Sequence, residues 1–202
     1  MLFRSQRMEK LAGKLSDHLI VKGVVEAEDR DIYIFGLECL LGSVVQTTVS
    51  LVLALLTGVL PQTIACIITF GSLKKWAGGF HAGTHLSCIG ISTATMLILS
   101  FAAKLIPTQW GLPVLLVSLL VAIVLVIRLA PIVHPYNPKT PEQVIELRKR
   151  SRIVLAVIST CLLGAYFLLP ESVTSIVLAG AIGQAASALT LLIPAKLKEG
   201  GE

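Results

Sequence analysis

The chain has 202 residues, 54% of them hydrophobic and 14% charged, where soluble domains carry roughly a quarter charged. Its formal net charge of +5 is divided among the gaps between long apolar blocks such as LLVSLLVAIVLVI at 115–127, so no nucleic-acid-binding face is expected and the cations read as topology signals. The blocks are too long and too evenly apolar for one-sided surface helices, which makes a lipid bilayer the expected solvent.

Residues 6 to 24 place Met8, Leu11, Leu15, Leu19 and Ile20 on one helical face, with Lys10, Lys14, Asp17 and Lys22 largely elsewhere. That pattern predicts an amphipathic helix lying in the membrane interface within 5–30. Charged and apolar residues alternate through this stretch, so no cleavable secretion signal is expected. Six spans are predicted at 32–56, 59–73, 86–105, 112–130, 153–169 and 173–193, judged against about 20 residues per crossing. Gly and Pro mark breaks at Thr57-Gly58, from Ile106-Pro107 through Leu112-Pro113, and at Leu169-Pro170-Glu171.

Lysine and arginine fall on alternate connections: Arg4 to Arg30 before the first span, Lys74 and Lys75 between the second and third, Arg128 and Lys139 to Arg152 between the fourth and fifth, and Lys196 and Lys198 after the sixth. Lys104 alone breaks the alternation. The reading is an all-α, multi-pass protein of a bacterial cytoplasmic membrane, with both termini, loops 74–85 and 131–152, and tail 194–202 in the cytosol. The 131–152 connection is too short to own a core, so residues 1–202 are expected to form one membrane domain. Pro131, Pro135, Pro138 and Pro141 are expected to stiffen that loop, with substrate contact as a secondary role. Cys39, Cys66, Cys88 and Cys161 have no paired spacing, so no disulfide framework is expected. Cys39, Cys66 and Cys161 read as small packing residues.

Chemistry concentrates in Lys74-Lys75-Trp76-Ala77-Gly78-Gly79-Phe80-His81-Ala82-Gly83-Thr84-His85-Leu86-Ser87-Cys88. Two histidines and a cysteine at a membrane boundary admit three readings. In the first, Cys88 is a nucleophile near the start of the third span, where the helix dipole favours a thiolate, and a histidine is its base. On one continuous helix His81 would stand about 10.5 Å from Cys88 along the axis. It then serves only if the chain folds back at Gly79 or Gly83. His85, three residues before Cys88, needs no bend and is favoured by spacing. In the second, His81, His85 and Cys88 present three metal ligands, although no nearby carboxylate completes a set. In the third, the histidines are solvated at the interface and the cysteine packs among helices. Glu38, about two turns inside the first span, is an ionisable group at a depth where such groups are functional candidates; it either orients the base histidine or packs as a neutral hydrogen-bonded residue. Gln46 and Gln184 read as interhelical hydrogen-bonding groups.

The run from Lys74 to Ala82 followed by Cys88 resembles the signature of the accessory gene regulator B (AgrB) family of membrane peptidases: a basic pair, an aromatic, Ala, a Gly-rich turn, His-Ala, and a cysteine seven residues after that histidine. Tyr33-Ile34-Phe35-Gly36-Leu37-Glu38 resembles the start of the family's first span. Ala130-Pro131, Asn137-Pro138 and Arg148-Lys149-Arg150-Ser151 resemble its Pro-rich, basic second cytosolic loop. The resemblance implies a cysteine endopeptidase that cleaves the C-terminal part of a small AgrD-like precursor and cyclises it to a thiolactone or lactone autoinducing peptide for quorum sensing. By position it makes Cys88 the nucleophile and His81 the base, overriding the spacing preference for His85, and it implies substrate contacts by Lys74, Lys75, Gly79, His85, Asn137 and Lys139. The family commonly has arginine where Lys74 stands, and lysine cannot make arginine's planar two-point contact to a carboxylate. No cofactor or metal is implied, and a homodimer is expected. The competing classes are a metal-dependent membrane hydrolase and a small helical transporter.

Overall fold

The computed structural model describes residues 6–24, 26–79, 85–133 and 139–193. Among the described residues the fold is all-helical, with α1 Gln6–Val21, α2 Arg30–Leu56, α3 Leu60–Ala77, α4 His85–Leu105, α5 Gly111–Leu129, α6 Pro141–Leu168 and α7 Thr174–Leu189. Six of these overlap the six expected spans. The segments Arg30–Leu56, Thr108–Leu129, Pro141–Leu168 and Glu171–Leu189 are long and apolar enough to cross a membrane. α3 and the apolar stretch Ile89–Leu105 of α4 are shorter.

The chain divides into two compact units, residues 1–52 with 81–95, and residues 53–80 with 96–202. In the first, α1 ends in a turn where Gly23 has φ 69° and Val24 N–H bonds Leu19 C=O at 3.0 Å, a Schellman closure that needs a residue tolerant of left-handed backbone. Ser16 Oγ then donates to Arg30 C=O at 3.4 Å, and Arg30 Nε donates to Asp17 Oδ1 at 2.7 Å. Ala12 and Ser16 are buried, while Leu11 and Leu15 remain exposed. Along α2 Ile34 and Glu38 are buried on one stripe and Ser50 and Ala54 on another, about 120° or more further round the helix, while Leu40, Val44, Val45 and Val49 are exposed. Polar groups inward and apolar groups outward is the arrangement a hydrocarbon solvent demands. Ser50 Oγ donates to Thr93 Oγ1 of α4 at 3.1 Å, both buried.

In the second unit α3 and the outer half of α4 run antiparallel: Lys104 Nζ meets Gly58 C=O at 2.8 Å, Thr63 meets Ser100 at 2.9 Å, and Cys66 Sγ lies 3.5 Å from Met96 Sδ. Lys104, the cation outside the topology pattern, thus spends its charge on a carbonyl freed at the end of α2. α7 supplies the small residues that let helices approach closely. A Cβ on Gly183 would stand 2.8 Å from Cys66 Sγ and 2.9 Å from its carbonyl oxygen, and Thr69 Oγ1 donates across to Gly180 C=O at 2.8 Å. Gln184 Nε2 donates to Ser159 Oγ at 3.1 Å and Leu155 C=O at 3.3 Å, the interhelical role expected of it. Among the described residues a second interhelical glutamine bond is made by Gln62, to Ser175 at 3.0 Å, and none by Gln46.

One boundary differs from the sequence reading. α6 begins at Pro141, twelve residues before its apolar part, so half of the expected 131–152 loop is helix. A reciprocal capping box starts it: Thr140 Oγ1 accepts from Gln143 N–H at 3.3 Å and Gln143 Oε1 accepts from Thr140 N–H at 3.2 Å. Pro141 therefore opens a helix at its first turn, where its missing N–H is harmless, instead of stiffening a loop.

Candidate functional site

α3 carries the basic pair to its end. Lys74 is half-buried with its ammonium 5.2 Å from the Phe70 ring centroid, and Lys75 is exposed with its ammonium 5.2 Å from Trp76. On the other side of Trp76 lies the Arg150 guanidinium, 4.8 Å from the centroid. Arg150 also donates to Glu146 Oε1 at 2.6 Å, and this bond holds the Glu146 carboxyl below its ordinary range. Trp76 thus joins the end of α3 to the N-terminal extension of α6 through cation–π contacts.

The helix stops at Ala77 because Gly78 and Gly79 take φ of 76° and 127°, backbone that L side chains rarely adopt. Gly78 N–H closes the last turn on Lys74 C=O at 3.0 Å, and Ile132 N–H bonds Ala77 C=O at 3.0 Å. Space is equally restrictive: a Cβ on Gly78 would run into the Ile132 carbonyl oxygen, and one on Gly79 into Thr190 Oγ1 at the end of α7. Gly79 is buried. Three segments, the ends of α3 and α7 and the strand of chain after α5, therefore fix the backbone two residues before His81. Gly79, one of the two glycines named for a reversal, takes the left-handed backbone that a turn requires, and Gly83 lies outside the described residues.

His81 and Asn137 lie outside the described residues. His85 is the first residue of α4 and Cys88 its fourth, so the Cys88 backbone sits in the first turn, where helix N–H groups lack intrahelical partners and the dipole is positive; the side chains of both lie outside the described residues. Glu38 is 2% exposed, and Lys139 is exposed just ahead of α6. Among the described residues no three His, Cys, Asp or Glu side chains stand close enough to hold a metal. Sequence reasoning named Trp76 and Arg150 only as parts of the signature, without their contact, and passed over Ile132 and Thr190. Only the Gly78-Gly79 doublet hinted that another segment must press on this turn.

The model of the accessory gene regulator B family matches residues 8–191, nearly the whole chain. The protein belongs to the AgrB family. Neither a curated protein nor a solved structure matches it. AgrB membership and the long apolar helices make it a membrane protein of quorum-sensing peptide processing, acting on a precursor peptide. The run from Lys74 to Cys88 lies wholly inside the matched segment, as does Glu38.

Proposed function

We propose that this AgrB-family protein is a cysteine endopeptidase and peptide cyclase of a bacterial cytoplasmic membrane, working at the cytosolic boundary on an AgrD-like precursor. Cys88 is the nucleophile and His81 the base. His81 takes the thiol proton, the thiolate attacks the scissile carbonyl, and the imidazolium returns the proton to the departing amine, leaving a thioester on Cys88. A thiol or hydroxyl within the bound peptide then attacks that thioester, releasing a thiolactone or lactone and restoring the Cys88 thiol. Water must lose this competition, which a site recessed at the membrane boundary favours.

The observation that supports this reading is the end of α3 at Gly78-Gly79, where positive φ stops the helix. The 10.5 Å objection to His81 assumed one continuous helix; α3 ends at Ala77, and α4 is described only from His85. The first-turn position of Cys88 supports its role as thiolate. Lys74, Lys75 and Lys139, with Asn137, His85 and the backbone at Gly79, are the proposed substrate contacts, the cations drawing in an acidic C-terminal peptide segment.

Glu38 is proposed to orient His81. Glu38 is a buried carboxyl on α2, and an ionisable group at that depth in a span is a functional candidate.

The test is coexpression of a candidate precursor with wild type, Cys88→Ser, His81→Ala and His85→Ala. Cleavage is lost in the first two variants and kept in the third. Loss with His85→Ala alone would transfer the base to His85, and inhibition by chelators with resistance to alkylation would favour a metal hydrolase.

A further inference from the structure

The cytosolic part of α6 carries cations on two opposite faces. Arg150 is engaged by Trp76 and Glu146. Arg152, two residues and so about 200° further round the helix, lines a groove between α5 and α6 instead. That groove has a volume of about 420 Å³ and is walled by Ile123, Ile127, Leu155, Ala156, Ser159 and Thr160 beside Arg152. Arg148, one turn earlier on the same face, is exposed. Among the described residues the ion pairs join Arg30 to Asp17 and Asp31, and Arg150 to Glu146; neither Arg148 nor Arg152 has a carboxylate. The groove's deeper polar edge is already served, because Ser159 Oγ accepts from Gln184 Nε2. Nothing in its lining calls for an anion except at the cytosolic end.

The order along the groove is two uncompensated guanidinium groups at the boundary, then an apolar trough of isoleucine, leucine and alanine extending toward mid-span. We propose that this is a binding site for one anionic phospholipid of the cytosolic leaflet, its phosphate held by Arg152 and Arg148 and an acyl chain lying between α5 and α6. Charge decides among the occupants of such a trough. A basic amphipathic peptide helix would set like charges against both arginines, and a second copy of this chain would bring the same arginines. An anionic headgroup neutralises them, and its chain fills the trough without leaving a polar group unmet. The site is independent of the peptidase reading, since it uses none of the residues proposed for chemistry.

Tryptophan quenching tests the site in the full-length protein reconstituted into vesicles. Trp76 and Trp110 are replaced by phenylalanine and a reporter is placed in the trough as I127W. Brominated phosphatidylglycerol is expected to quench this reporter at about one-fifth the mole fraction needed with brominated phosphatidylcholine, the scale of one cation's attraction for an anionic lipid. R152Q, an exposed position whose change spares the fold, removes the preference, and a reporter at the outward-facing Val124 shows none. Equal quenching by both lipids, or a preference untouched by R152Q, would overturn the proposal. So would quenching indifferent to lipid charge but relieved by a basic amphipathic peptide, or no quenching by either lipid, the sign of a trough covered by protein.

Discussion

Ser50 of α2 and Thr93 of α4 share a hydrogen bond of 3.1 Å in a buried position, and this contact joins the helix that carries Glu38 to the helix that carries Cys88. A carboxylate placed beside the base histidine stabilises the imidazolium and holds the ring's orientation. Glu38→Gln keeps the shape and removes the charge. Cleavage of the precursor is expected to fall by at least about tenfold with the helix content intact, and the histidine-linked limb of the pH–rate profile moves to lower pH because the imidazolium loses its anion. A normal rate and an unmoved profile would leave Glu38 as a packing residue.

Gly78 and Gly58 both have positive φ, at 76° and 70°, but Gly78 combines it with ψ −151°, a region essentially reserved for glycine, and only Gly78 is crowded by backbone. An alanine at Gly58 incurs about 1–2 kcal/mol of conformational strain, and one at Gly78 incurs more. At Gly58 the nearest atom is the flexible Lys104 ammonium, 3.8 Å away, whereas at Gly78 the Ile132 carbonyl blocks the space. Gly78→Ala is therefore expected to reduce cleavage more than tenfold, since its displacement passes along three peptide units toward His81, while Gly58→Ala stays within about twofold. Parallel assays below the melting temperature of both variants decide this.

Gly183→Ala forces a methyl against the sulfur and carbonyl of Cys66 and the hydroxyl of Thr69, all within 2.9 Å. Overpacking of this kind destabilises by about 1–3 kcal/mol. Gly164→Ala, on α6 where nothing lies within 4 Å of the new methyl, gains about 0.5–1 kcal/mol in helix stability. Thermal unfolding in detergent separates the two by sign.

The tether of α1 to α2 depends on pH in a fixed direction. The hydrogen bond from Arg30 lowers the Asp17 carboxyl below its ordinary value of 3.8. A carboxyl with a depressed pKa contributes its stability above that ordinary value and loses it as pH falls through the lowered one. Amide exchange in α1 is expected to be flat from neutral pH to about 4 and to accelerate in stronger acid, after correction for intrinsic exchange. D17N should show the fast α1 exchange at neutral pH. Equal protection in D17N and wild type would remove the tether from the account.

Much of the helical plan was legible because hydrocarbon imposes a simple length rule on apolar sequence, and glycine and proline mark where that rule is suspended. The start of α6 escaped because capping by Thr140 and Gln143 acts through local hydrogen bonds that hydropathy does not register. Cys88 and the histidines were visible as polar residues in a place where they are expensive, and the glycine doublet beside them announced a turn.

The sequence alone determined an all-α membrane protein, its AgrB-like signature and the cluster that carries the proposed chemistry, since each follows from residue type and spacing along one chain. Tertiary structure decided what presses on the glycines and how the cations divide their work. Ile132 and Thr190 reach Gly78 and Gly79 from more than 50 residues away, and Arg150 meets Trp76 across a similar separation. Those contacts depend on which helices pack side by side, and no local pattern of hydropathy or propensity encodes a choice of neighbour.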